Sequence, residues 1–202
     1  MLKSTLASAS LLILPGFLGV AHAQRIPYAP DEIVPPTAEW LARVENAAPE
    51  QATIGAEKRT LLVFSHLTGY KHDVIPHVER MLQILGDKTG AFEVTVTVDI
   101  EDLAPENLSG YDVLVLNNNC SVGPRRNLFL DELEANPKYA ELNETQRQAR
   151  SDALEQSLLD FVASGKGLAV LHGAPTLLNN SEKFTGMVGG AFDYHPPNQE
   201  VT

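Results

Sequence analysis

The chain has 202 residues, 44% of them hydrophobic, which is enough for one domain with a substantial core. Its formal net charge of −11 disfavours nucleic acid and anionic membrane surfaces as partners, because no basic cluster could neutralise their phosphates. The two adjacent basic pairs, Lys58-Arg59 and Arg125-Arg126, are interpreted as solvated surface.

Residues 1–23 have the pattern of a secretory signal peptide. Lys3 precedes an apolar run over 11–20, and Ala21-His22-Ala23 fits the small-x-small cleavage rule. The pattern predicts Sec export to the periplasm or outside the cell, with no membrane attachment after cleavage. A retained anchor is the alternative. The single cysteine, Cys120, allows no internal disulfide, and it is either a small buried hydrophobe or a reactive thiol.

Residues 24–59 are rich in proline and are predicted to form an N-terminal arm that lies on the domain. Within the arm, Thr37 can cap a short helix that carries Trp40 as its anchor. The domain itself is predicted to span residues 60–202. No internal repeat is visible in the sequence.

The first half of the domain predicts a strand at 61–65, a helix and a second strand. Asp73 is the expected N-cap of the helix, whose apolar residues recur at helical spacing until Gly86 ends it. Strict apolar–polar alternation over 92–98 predicts a half-exposed strand at the edge of the sheet.

The second half predicts strands at 112–117 and 167–171, with one helix over 144–164 between them. Asn143 caps that helix and Gly165 ends it. The charged segment 121–142 is expected over the mouth of the sheet and the strand at 167–171 inside the sheet. A helix is predicted over 184–190, and if residues 174–190 form one helix, His195 returns to the same edge as His172.

This order predicts an α/β fold with a doubly wound, mostly parallel, flavodoxin-like sheet. Residues 199–202 look like the opening of another strand, so we expect a domain truncated at its C-terminus.

Three apolar strands end on polar side chains, at the edge where open α/β sheets bind ligands. The first runs into His66, the second into Asn118, Asn119 and Cys120, and the third into His172. Asn118 and Asn119 could offer amides to sugar hydroxyls, or they could simply form the turn. His66 could reach the same crevice as a substrate-binding residue.

Six stretches in chain order resemble the ThuA-like family, named for trehalose utilisation, and the resemblance covers about 60–202. They are Leu61-Leu62-Val63-Phe64-Ser65, Thr68-Gly69-Tyr70-Lys71-His72-Asp73, Lys88-Thr89-Gly90-Ala91-Phe92-Glu93-Val94-Thr95, Tyr111-Asp112-Val113-Leu114-Val115-Leu116-Asn117-Asn118, Phe161-Val162-Ala163-Ser164-Gly165-Lys166-Gly167-Leu168 with Leu171-His172, and Gly189-Gly190-Ala191-Phe192-Asp193-Tyr194-His195-Pro196. The resemblance implies the class I glutamine-amidotransferase-like fold and a role in carbohydrate metabolism. It does not imply glutamine amidotransfer, because Leu171-His172-Gly173 stands where those enzymes carry their cysteine nucleophile. Cys120 follows a different strand and is no substitute by position.

Three histidines are the candidate catalytic residues: His172, His72 and His195. An imidazole at His172 could act as a general base or bind a metal, or it could only hydrogen-bond the turn. Together the three rings could hold a divalent metal such as zinc if the fold brings them together. No helical H-x-x-x-H pair supports that metal site.

The resulting hypothesis is an exported protein that acts on a sugar or an oxidised sugar, with histidine-based acid/base or metal-assisted chemistry. The alternatives are a non-catalytic carbohydrate-binding or scaffold domain and an inactive fragment. The partner in each functional case is a small-molecule carbohydrate. No nicotinamide fingerprint is present, because Gly165-x-Gly167 precedes a strand where the phosphate loop would follow one.

Overall fold

The structure is a computed structural model that describes residues 34–53, 57–123 and 125–193. The predicted signal peptide, the start of the arm and His195 lie outside the described residues. The helices are α1 (Ala38–Ala47), α2 (Ile75–Thr89), α3 (Pro105–Leu108), α4 (Leu128–Ala135), α5 (Glu144–Ala163) and α6 (Glu182–Val188). The strands are β1 (Arg59–Phe64), β2 (Phe92–Thr97), β3 (Val113–Asn117) and β4 (Gly167–Leu171).

The four strands form one parallel sheet in the order β2-β1-β3-β4, which confirms the predicted α/β fold. Strand β2 lies at an edge, as its alternating pattern predicts. The prediction that residues 167–171 lie inside the sheet is wrong for the described chain, where β4 forms the other edge and is only half-buried. An apolar run indicates that helices cover both faces of a strand, but it carries no information about neighbours within the sheet.

Helices cover both faces of the sheet, and alternate strand residues point to the two layers. Leu62, Phe64 and Leu114 belong to a large core with residues of α3, α4, α5 and α6. Leu61 and Val63 belong to a smaller core on the face that α2 covers. Helix α1 of the arm packs outside α2, where the rings of Trp40 and His77 meet edge to face at 4.8 Å.

Three predicted helix ends are confirmed, and two are wrong. Gly165 follows α5 in the left-handed conformation, with a φ of 91°. Thr37 accepts a hydrogen bond from the backbone N–H of Trp40, and Asn143 forms a capping box with Gln146. Asp73 does not cap α2, because the helix begins one residue later than an Asp73 cap requires and Val74 occupies the cap position. Gly86 does not end α2 either.

Gly86 instead allows α2 to approach β2 closely. A Cβ there would lie 2.6 Å from the carbonyl oxygen of Phe92, so no larger residue fits. The helix continues to Thr89 and ends at Gly90, whose φ of 68° is the left-handed conformation that glycine adopts without strain.

The predicted helix over 184–190 corresponds to α6, but residues 174–190 do not form one continuous helix. A 3-10 turn over Ala174–Leu177 is followed by a non-helical Leu178, and α6 begins only after the Ser181 cap. The backbone of Leu178 pairs with Asn127, which breaks the helix in favour of a bridge to the segment before α4. Among the described residues, no helix is both long enough and apolar enough to cross a membrane.

Candidate active site at the carboxyl ends of the strands

The turn after β4 places His172 at the edge of the sheet in a strained backbone conformation. Its φ is 50°, in the left-handed region that residues with a Cβ avoid, and its side chain is exposed. Strain of this kind persists where the surrounding structure imposes it, and it concentrates at functional sites. The sharp turn expected after the fourth strand is therefore present, with an imidazole at its apex.

The next residue, Gly173, lets three elements meet at this point. A Cβ on Gly173 would lie 2.5 Å from Sγ of Cys120 and 3.1 Å from Nε2 of His72. Those two side chains follow β3 and β1, respectively. Only a residue without a side chain allows the loop after β4 to approach both so closely.

His72 and His172 form an edge-to-face pair with ring centroids 4.5 Å apart. Tyr70 also packs against His72, with 4.8 Å between the ring centroids. Burial lowers the pKa of His72, as does the neighbouring His172, and the nearby Asp73 opposes both effects. A lowered pKa favours the neutral imidazole, which can accept a proton or bind a metal.

Cys120 lies against this pair but is not an activated nucleophile. Its Sγ is buried and lies 3.7 Å from the carbonyl oxygen of Gly173. Burial raises the pKa of the thiol, although Thr176 and the charge of Arg126 partly offset that effect. A raised pKa reduces the thiolate fraction, and the thiolate is the reactive form.

A cavity of about 780 Å³ opens beside the two histidines, and we call it the histidine cavity. Its lining residues come from the loops after β1, β3 and β4 and from the segment after α6. They are Tyr70, His72, Cys120, Ser121, Gly123, Arg126, His172, Gly173, Thr176 and Phe192. A second cavity of about 300 Å³ shares His172, Gly173, Thr176 and Phe192 with it. The predicted placement of segment 121–142 over the mouth of the sheet agrees with this lining.

Arg126 is a lining residue that the sequence did not reveal. Its guanidinium donates to the backbone carbonyls of Phe192 and Asp193 at 3.0 and 3.3 Å, and it lies 4.6 Å from the centroid of the Phe192 ring. Its neighbour Arg125 forms ion pairs with Asp131 and Glu134 instead. The sequence shows two adjacent arginines, and nothing in it separates the one that lines a cavity from the one that stabilises a loop.

The predicted substrate-binding amides lie in a separate region, which we call the amide cluster: Ser65, His66, Asn117, Asn118 and Asn119. All five are buried. Asn119 donates to the carbonyls of Phe64 and His66, and Asn118 donates to Asn117. The Oδ1 atoms of Asn118 and Asn119 have no hydrogen-bond partner among the described residues, and both are buried away from solvent.

His66 also belongs to the amide cluster and does not line the histidine cavity. Its Nε2 lies 2.9 Å from a carboxylate oxygen of Glu132 on α4. These contacts hold the loop after β1 against α4 and against the end of β3. The structure thus brings together His72 and His172 among the candidate residues, and it places His66, Asn118 and Asn119 elsewhere.

The proposed three-histidine metal set includes His195, which lies outside the described residues. Among the residues that are described, no group of three or more His, Cys, Asp or Glu side chains is arranged to hold a metal ion. His72 and His172 by themselves would supply two of the three protein ligands that catalytic zinc usually has. The metal site therefore stays a prediction.

Comparison with known proteins agrees with the fold. No match to the chain was found among curated proteins or among solved structures. The family model ThuA, described as trehalose utilisation, matches residues 60–202, which include every residue of the histidine cavity and of the amide cluster. Because that match spans well over half of the sequence, the chain belongs to the ThuA family.

Proposed function

We propose that the histidine cavity binds a sugar or an oxidised sugar, and that His172 acts on it as a general acid/base. The observation that carries this proposal is the position of His172, which is exposed, has a strained backbone and lines a cavity of about 780 Å³. The centroid of its ring lies 4.5 Å from the centroid of the His72 ring. A volume of that size suits a small ligand. Tyr70, Ser121 and Thr176 add the hydroxyl-bearing side chains that bind sugar hydroxyls.

The two histidines have different roles in this proposal. His172 is exposed and can exchange protons with solvent, so it removes a proton from the substrate or returns one. His72 is partly buried with a lowered pKa, and in its neutral form it accepts a hydrogen bond from the substrate or binds a divalent metal. Cys120 takes no part as a nucleophile, because burial raises its pKa.

A non-catalytic carbohydrate-binding domain is the second candidate. One observation favours it: the turn after β4 carries His172 rather than a nucleophile, and the nearby Cys120 is buried. A binding domain retains its affinity for sugars and shows no turnover. An acid/base enzyme converts them and loses turnover when its imidazole is removed.

The test is turnover of neutral sugars and keto-sugars by the purified protein and by His172→Ala and His72→Ala variants. We expect His172→Ala to lower kcat by about 10²-fold or more, the usual contribution of a general acid/base, with less change in sugar affinity. His77→Ala is the matched control, because His77 lies on α2 against Trp40 and outside the cavity. Binding without turnover by the unchanged protein would assign the binding-domain function.

Metal dependence is measured separately, by elemental analysis of the purified protein and by turnover after chelation. A stoichiometric metal that is lost in His72→Ala supports the metal-assisted form of the chemistry. Turnover that survives chelation in a metal-free protein supports acid/base chemistry by the imidazoles alone.

Export to the periplasm or outside the cell is also part of the proposal, on the basis of residues 1–23. N-terminal sequencing of the protein isolated from cell fractions tests it. The expected mature N-terminus is Gln24. A cytoplasmic protein with an intact N-terminus contradicts it.

A further inference from the structure

The histidine cavity differs in charge from the rest of the protein. The chain has 26 acidic and 15 basic side chains apart from its histidines. Among the described residues that line the cavity none is acidic, and they include one arginine and two histidines. Asp73, the acidic residue nearest to His72 in sequence, is exposed and does not contribute to the lining. An acidic protein thus has a cavity whose fixed charge is positive.

The charge of Arg126 is not used in an ion pair with any described carboxylate. Its hydrogen bonds go to the backbone carbonyls of Phe192 and Asp193, which are neutral acceptors. Arg125 differs, because its guanidinium contacts the carboxylates of Asp131 and Glu134. A guanidinium has five N–H donors, so the two carbonyls leave donors of Arg126 available to a ligand.

The same two contacts also fix the direction of the Arg126 side chain. Phe192 is held in turn by Asn179, whose amide exchanges two hydrogen bonds of 2.7 Å with the Phe192 backbone. The guanidinium therefore lies against a fixed wall of the cavity, which reduces the entropy lost when it binds a ligand. Preorganised guanidinium groups favour carboxylates and phosphates, which accept two parallel hydrogen bonds.

We propose that the histidine cavity selects an anionic sugar, a sugar acid or sugar phosphate, and that Arg126 binds its charged group. The inference rests on the proposed sugar site and adds the charge of the substrate. The carbohydrate ring lies beside His72 and His172, and its carboxylate or phosphate faces Arg126. Neutral sugars fit the same space but leave the guanidinium without a charged partner.

The experiment measures the affinity of the purified protein for D-glucuronate and D-glucose by calorimetry. The two sugars have the same ring and differ at C6, where one carries a carboxylate. We expect D-glucuronate to bind at least about tenfold more tightly, the usual advantage of a charge-assisted pair of hydrogen bonds. D-Glucose 6-phosphate forms a third arm, which separates a phosphate ligand from a carboxylate. Added salt should weaken the binding of the anionic sugars and leave the affinity for D-glucose unchanged.

The Arg126→Gln variant should bind D-glucuronate and D-glucose with about equal affinity. Asn179→Ala tests the wall, because it loosens Phe192 without removing charge. It should reduce the preference for D-glucuronate, but by less than Arg126→Gln does, because the guanidinium is still present. Arg125→Gln is the matched control for charge. It should lower the melting temperature of the protein and leave the ratio of the affinities for D-glucuronate and D-glucose unchanged.

The outcomes distinguish this inference from the proposed function. Equal affinity of the unchanged protein for D-glucose and both anions overturns the inference and leaves the sugar site standing. A preference for anions that persists in Arg126→Gln overturns the role of Arg126. Failure to bind any of the three sugars overturns the proposed function and the inference with it.

Discussion

The amide cluster and the histidine cavity lie at the same edge of the sheet and use similar residues for different purposes. The amides of Asn117 and Asn119 donate to neighbouring protein groups, and the residues of the cluster are buried. The ring of His172 is exposed beside a cavity, and Arg126 donates to backbone carbonyls and pairs with no described carboxylate. Polar side chains after a strand can thus either join the loops to one another or remain available to a ligand.

This comparison predicts opposite effects of mutation in the two regions. Substitutions in the amide cluster should lower stability, because they leave buried polar groups without partners. Substitutions of the polar side chains that line the histidine cavity should lower binding or turnover and change stability little.

The largest effect on stability is expected for Asn119→Ala. Its amide donates to the carbonyls of Phe64 and His66, and both carbonyls would lose that donor in the interior. We expect the free energy of unfolding to fall by about 2–4 kcal/mol, as measured by urea denaturation. Asn180 is exposed, so Asn180→Ala is the control and should change the free energy of unfolding by less than about 0.5 kcal/mol. An equal effect of the two substitutions would contradict the structural role of the cluster.

Gly173→Ala should be nearly as destabilising, because its Cβ would lie 2.5 Å from Sγ of Cys120. Overpacking of this kind costs about 1–3 kcal/mol. Removal of the sulfur in a Gly173→Ala/Cys120→Ala double variant should recover part of that loss. The measurement is a double-mutant cycle of unfolding free energies. Additive effects of the two substitutions would show that Gly173 and Cys120 do not compete for space.

Two substitutions of His172 separate the effect of its strained backbone on stability from the effect of its imidazole on turnover. Glycine adopts a φ of 50° without the steric penalty of a Cβ, so His172→Gly should be more stable than His172→Ala by about 1 kcal/mol. Both variants lack the imidazole, and we expect both to lose the turnover proposed for His172. Thermal unfolding and a turnover assay on the same preparations measure the two effects. Equal stability of the glycine and alanine variants would indicate that the backbone relaxes at this turn.

The smallest effect concerns the titration of His72. Burial and His172 lower its pKa below the ordinary value of 6.5, so NMR titration of the ring should give a midpoint below 6.5. His172→Gln should raise that midpoint by removing the neighbouring charge, and Asp73→Asn should lower it further. A midpoint that neither substitution moves would contradict the electrostatic coupling of the pair.

The lowered pKa of His72 also predicts how the stability of the protein depends on pH. The folded protein binds the His72 proton less tightly than an unfolded histidine does. The contribution of His72 to stability is therefore complete above pH 6.5 and falls as the pH decreases below that value. The loss of unfolding free energy between neutral and mildly acid pH should be smaller in His72→Gln than in the unchanged protein.

Much of the fold followed from local patterns in the sequence. The apolar runs at Leu61–Phe64 and Val113–Leu116, the alternation over Phe92–Thr97 and the capping residues of α5 each depend on neighbours within a few positions. These features decide element type because side chains repeat with the period of a strand or of a helix. They also predicted that His172 and His72 follow strands that end at one edge.

Local patterns failed where a residue depends on a distant neighbour. Gly86 has the sequence signature of a helix end, but it serves the close approach of α2 to Phe92. One continuous helix over 174–190, the condition for the return of His195, does not form, because Leu178 pairs with Asn127. Strand β4 lies at the edge of the sheet because only β3 pairs with it in the described chain. The apolar residues of β4 do not predict which strands lie beside it.

The sequence by itself determined the elements, the parallel sheet and the set of polar residues that follow the strands. Only the tertiary structure decided which of those residues line a cavity. Asn118 and Asn119 are buried, whereas Arg126 lines a cavity with His72 and His172. The physical reason is that accessibility and charge pairing depend on loops that are far apart in sequence, and their contacts form only when the sheet brings the ends of its strands together.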